Sequence, residues 1–181
     1  ELDKIQSVGP FRAEMYFLRN ANSVGYDIMK KVTVKNRKEL LEHFSGIKIY
    51  RDNFKVRPYG DEGALYDWLG LGARAQRSPA APSHLQGRWR VEPYQMIGWV
   101  EIGRVSNPGL EDMANREGLA LTDTYYIFVE MLQEIINEFE YDRQYLYREY
   151  AKWIESIEKQ LSDYAERVKD EARRRTQKQK E

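Results

Sequence analysis

The sequence predicts an α/β (α+β) fold: a small sheet backed by helices, followed by a long C-terminal helix. Three observations carry that reading. Phe11, Ala13, Met15 and Phe17 alternate with Arg12, Glu14, Tyr16 and Leu18, and a second alternation runs through Ile47, Ile49, Phe54 and Val56; a period of two lays one face of a strand on a core. Residues 94–102 form a mostly apolar run that suits a central strand covered on both faces. From Thr122 onward the chain has neither Gly nor Pro. The first part of that stretch carries Phe128, Leu132, Ile135, Ile136 and Phe139, an apolar face broad enough to lie on a sheet.

Val8-Gly9-Pro10 opens the first strand, and Asn20-Ala21-Asn22-Ser23 turns the chain. Residues 26–35 stay open between a strand through Val32-Thr33-Val34 and a helical turn at Asp27-Ile28-Met29-Lys30-Lys31. Asn36 and Glu39 have capping-box spacing, with Asn in place of the usual Ser or Thr. Leu40, Leu41 and Phe44 give the next helix its apolar side, and Gly46 ends it. Residues 46–59 read as a β-hairpin that turns at Arg51-Asp52-Asn53 and stops at Pro58 and Gly60. Residues 61–93 lack periodicity, and a loop of that length inside a domain is functional or mobile. Trp68, in the apolar knot Asp67-Trp68-Leu69-Gly70-Leu71, is expected to pin this loop to the body. Asn107-Pro108-Gly109 breaks the chain after the apolar strand, and Thr122 or Asp123 caps the final helix.

This divides the chain into a body, residues 1–141, and a tail, residues 142–181. In the tail the apolar stripe narrows to Tyr147, Tyr150, Ile154, Ile157, Leu161, Tyr164 and Val168, at steps of three and four. That is a heptad seam. A helix this long measures on the order of 70 Å at about 1.5 Å per residue, so its end projects from the body.

Composition excludes several chemistries. The chain has no Cys, hence no disulfide and no thiolate nucleophile, which fits a cytoplasmic location. No apolar run is long enough to cross a bilayer, so no membrane partner is expected. His43 and His84 lie far apart without ligand spacing, so a metal site is not expected. No GxSxG, GxGxxG or GxxxxGK[ST] pattern occurs. A chain that starts at Glu1 reads as a piece of a longer protein, and this piece is not equipped to act as an enzyme alone.

One short stretch does point to chemistry. Asn115-Arg116-Glu117-Gly118-Leu119 stands between the apolar strand and the long helix. A guanidinium at such a junction suits an oxyanion, because it binds bidentately and stays charged. The plainer reading is a surface ion pair or a helix cap made by Arg116 and Glu117.

The strand at residues 11–17, the helix before Gly46, the hairpin Gly46-Ile47-Lys48-Ile49-Tyr50-Arg51, then Pro58-Tyr59-Gly60, Asp67-Trp68-Leu69-Gly70 and Asn115-Arg116-Glu117-Gly118-Leu119 occur in a familiar order. That order resembles the segment after the nucleotide-binding domain in the ATPase superfamily of gyrase, heat-shock chaperone, histidine kinase and MutL-type proteins. It is most similar to bacterial proteins with a chaperone-like ATPase domain, and it spans about residues 8–140. The resemblance implies a sandwich like the second domain of ribosomal protein S-five, acting as a transducer. ATP and Mg would be held by a preceding N-terminal ATPase domain, with no cofactor held by this chain alone. Arg116 would reach the γ-phosphate from here, supported by Asn115 and Glu117, linking hydrolysis to domain closure and dimerisation. In the ninety-kilodalton heat-shock chaperone the corresponding motif is Ser-Arg-Glu-x-Leu-Gln; here Asn115 replaces the Ser and Ala120 the final Gln.

Two other readings stand beside this one. The chain can be a structural or adaptor module whose heptad tail forms a homodimer or holds a partner helix. Alternatively, Arg173, Arg174, Arg175, Lys178 and Lys180 can bind nucleic acid, against which stand the acidic neighbours Asp170, Glu171 and Glu181.

Overall fold

The computed structural model describes residues 2–18, 37–63, 65–78, 87–114 and 117–178. The turn at 20–23, the open segment 26–35, the cap Asn36, His84, and both Asn115 and Arg116 lie outside the described residues. The fold is α+β. A four-stranded mixed sheet has the order β1-β4-β2-β3, with β1 Arg12–Phe17, β2 Gly46–Arg51, β3 Phe54–Val56 and β4 Met96–Ile102. β4 is central in the sheet, antiparallel to β1 and parallel to β2, but it is not covered on both faces as expected: Met96, Gly98, Val100 and Ile102 are buried, while Ile97 and Trp99 are half-buried and Glu101 is exposed. Helices α1 Leu2–Val8, α2 Arg37–Phe44, α3 Leu71–Arg77 and α4 Asp123–Lys178 complete the chain.

Register explains the core. Ala13 pairs with Val100, Met15 with Gly98 and Phe17 with Met96, so the apolar face expected of β1 joins the buried face of β4. On β2, Ile47 and Ile49 lie beside Gly98 and Val100 on that same face. Helix α4 covers it with Tyr125, Phe128, Leu132 and Ile136, all buried at helical spacing. Thr122 is its cap: the hydroxyl accepts from Tyr125 N at 3.2 Å. Ile135, expected on this face, is instead 45% exposed, because it sits one position off the Leu132–Ile136 row.

The remaining differences are local. Val8 ends a helix rather than opening a strand, and it is fully buried. Asn107 holds it there, donating to the Val8 and Pro10 carbonyls at 2.7 and 3.0 Å. The hairpin turn is Asp52-Asn53 alone, both with positive φ, as a two-residue type I′ turn requires. Arg51 therefore belongs to the strand. Residues 61–93 are not featureless: α3 forms within them, and a 3₁₀ turn, Pro93–Gln95, takes Tyr94 out of the strand.

Trp68 does pin that segment. Its indole N–H donates to the Ile47 carbonyl at 2.7 Å, and its ring stacks on Phe128 with centroids 6.3 Å apart. Close approach is part of the same arrangement. A Cβ on Gly60 would lie 2.3 Å from the Ile47 carbonyl oxygen, so only glycine lets this crossing form. Trp68→Phe keeps the stacking but strands a carbonyl. We expect a loss of about 1–2 kcal/mol in chemical denaturation.

Candidate functional site

The connection between β4 and α4 carries the stretch singled out above, and its base is built from distant residues. Asp112 and Leu119 form an isolated antiparallel bridge. Met113 N donates to the Gly118 carbonyl at 3.0 Å, and Ala120 N to the Glu111 carbonyl at 2.8 Å. Residues 111–113 and 118–120 thus run side by side as a narrow neck. Leu110 and Leu119 are buried beneath it.

Two side chains from the preceding hairpin region fix this neck. Arg51 is 7% exposed at the end of β2, and its guanidinium donates to the Asp112 carboxylate and to the Leu110 carbonyl. Arg104 reaches the other Asp112 oxygen at 3.7 Å. Tyr59 accepts from Leu119 N at 3.2 Å, and Gly118, at φ 114°, lies over its ring. A charged fork and a phenol thus fix both ends of the segment that contains Arg116. Glu117, next to it, is exposed.

Tyr125 stands behind Tyr59, ring centroids 6.4 Å apart. Burial, then the neighbouring Tyr59, pushes the Tyr125 hydroxyl well above its ordinary value. The folded chain keeps this proton at a pH where the unfolded chain, ionising at about 10, has lost it. Stability from this group is complete below about pH 10 and falls as pH rises beyond it. Denaturation at increasing alkalinity should show that fall, and Tyr125→Phe should flatten it.

No family model, curated protein or solved structure matches the chain. The site must therefore be judged on its own geometry.

A second cluster escaped the sequence reading. Glu140 on α4 is 2% exposed in its side chain. It accepts from Arg74 of α3 at 2.7 Å, from Arg90, and from Val91 N at 3.0 Å. Asn137, one turn earlier, accepts from the same two guanidinium groups. Arg88, Glu134, Tyr141 and Gln144 extend the surroundings into a cleft of about 340 Å³. The arrangement is a clasp that fastens α3 and residues 90–91 to α4. Glu140 gave no signal because carboxylates on a charged helix are ordinarily solvated.

The tail residues separate into two groups. Tyr147 is buried, and Tyr150, Ile154 and Ile157 are partly covered. Gln144 and Arg148 both donate to the Gly87 carbonyl, so the body extends past residue 142 on this side. Leu161, Tyr164 and Val168 are open to solvent at 63%, 68% and 48%. At the basic end Arg173 lies 3.8 Å from Asp170 and Arg175 lies 4.0 Å from Glu171, all four largely exposed. Among the described residues, no group of His, Cys, Asp or Glu is placed to hold a metal ion, and no helix is long and apolar enough to cross a membrane.

Proposed function

We propose that this chain is the transducer segment of an ATP-hydrolysing protein, lending Arg116 to the γ-phosphate of ATP held by a separate N-terminal domain. The observation that carries the proposal is the neck at residues 110–119. Arg51, from the hairpin, holds Leu110 and Asp112 just before the Asn-Arg-Glu-Gly-Leu stretch, and Tyr59, from the Pro-Tyr-Gly segment, holds Leu119 at its end. Three motifs separated in the sequence thus serve one loop. A phosphate-sensing arginine needs that support, since its effect depends on being held where charge develops.

On this reading the chain's own chemistry is limited to a guanidinium and its mount. ATP and Mg belong to the partner domain, which supplies the phosphoryl group and the metal. Arg116 makes turnover conditional on docking, and this couples nucleotide state to domain closure and dimerisation. Asn115 and Glu117 orient the loop. The test is ATP turnover and nucleotide binding by the protein that carries both domains, wild type against Arg116→Ala. Loss of turnover with binding kept supports the assignment; unchanged turnover returns Arg116 to a surface role.

Nucleic-acid binding is the weaker reading, because two of the cations at the end of α4, Arg173 and Arg175, stand beside carboxylates of the same helix. An adaptor role for the tail is compatible with the transducer reading.

A further inference from the structure

Helix α4 runs for 56 residues without interruption, roughly 84 Å at about 1.5 Å per residue. Its last apolar residues have nothing upon them. Leu161, Tyr164 and Val168 are exposed, and with Ile157 they follow heptad spacing along one side. Isolated helices gain little from propensity alone, so such a seam is a surface made for another helix.

We infer that residues 150–175 of α4 pair antiparallel with the same segment of a second copy of this chain, setting Leu161 against Tyr164 and Ile157 against Val168. Charge along the seam selects this occupant and this direction. Continuing the heptad beyond Val168 places Glu171 and Arg175 on the seam itself. A parallel pair would set Glu171 against Glu171 and Arg175 against Arg175, two like-charge contacts on the seam at one end of the interface. The antiparallel pair removes both. Arg175 of the second copy then meets Tyr150, and Arg174 of the second copy meets Trp153 on the flank. Tyr150 and Trp153 already form an aromatic pair, centroids 5.7 Å apart, and Trp153 is 52% exposed. An aromatic face of that kind attracts a guanidinium.

The body fixes the register. Tyr147 is buried against the chain's own residues, so the seam is free only beyond it. A longer overlap, placing Glu171 of the second copy on Tyr147, has no room. Centring the pair between Leu161 and Tyr164 uses the exposed positions twice. On the other flank it sets Ala151 against Ala172 and Glu158 against Ala165, with no like-charge pair. This assembly does not depend on the ATPase reading.

The chain has no cysteine, so engineered thiols report cleanly. Ile157→Cys and Val168→Cys are prepared separately in the 181-residue chain, then oxidised alone and as a mixture. The mixture should yield a disulfide-linked dimer several-fold faster than either variant alone. Sedimentation of the wild-type chain should give the mass of two copies, and Leu161→Glu should reduce it to one. A monomeric wild type overturns the proposal. So does crosslinking of each single variant as fast as the mixture, which would mean a parallel pair. Leu161 and Val168 are exposed and Ile157 is partly covered, and circular dichroism of each variant checks that it folds.

Discussion

Arg116→Ala should lower ATP turnover about a thousandfold in the protein that carries both domains, with nucleotide binding nearly unchanged. That factor corresponds to roughly 4 kcal/mol of transition-state stabilisation. An arginine supplied from outside the nucleotide pocket contributes in this range because it meets charge that appears only as the phosphoryl group moves. On the transducer reading nucleotide affinity should survive, since the pocket would belong to another domain. Arg116→Lys should recover only part of the loss: the charge remains, but the two-pronged donor geometry does not. The mount adds a second readout. Arg51 fastens Asp112 and Leu110, and Tyr59 fastens Leu119, without being placed at the phosphate. Tyr59→Phe should therefore reduce turnover less than Arg116→Ala while also lowering the stability of the domain. Turnover that Arg116→Ala leaves unchanged would remove the transducer reading.

What could be read from the sequence was local. The Phe11–Phe17 alternation, the hairpin turn and the long Gly- and Pro-free helix each depend on neighbours within a few residues, and all three are present, the turn without the Arg51 expected in it. Trp68 was placed correctly because a large ring among glycines has few uses other than packing. What was not legible depends on partners far along the chain. Arg51 looks like a turn residue until Asp112, 61 positions later, is brought to it. Glu140 looks like one of many solvated carboxylates until Arg74 and Arg90 arrive from 66 and 50 positions before it. Helix α3 is hidden for a different reason. Its seven residues begin after Gly70 and include Gly72, so propensity argues against it, and burial of Leu71 and Ala75 decides in its favour. The heptad seam was legible as a pattern, but its division into covered and open halves depends on how the 87–91 segment lies on α4.

Glu140→Ala should cost about 3 kcal/mol in chemical denaturation. The carboxylate is nearly inaccessible, whereas Arg74 and Arg90 are 19% and 18% exposed in their side chains. Removing the carboxylate leaves two cations facing each other across Asn137, which alone cannot balance them. It also leaves Val91 N, buried in the core segment, without its acceptor. Both consequences fall on the elements that α4 clasps, so the loss should include local opening of residues 71–78 and 87–91 and not only a lower midpoint. Hydrogen exchange should show it there first, ahead of the sheet. Glu140→Gln separates the two contributions: the amide oxygen can still accept from Val91 N, while the charge is gone. If Glu140→Gln costs as much as Glu140→Ala, the two guanidinium groups carry the effect. If it costs much less, the backbone acceptor does. A loss below about 1 kcal/mol for Glu140→Ala would mean that water takes over both roles through the open side of the cleft, and that the segment is held by Trp89 and Val91 packing alone.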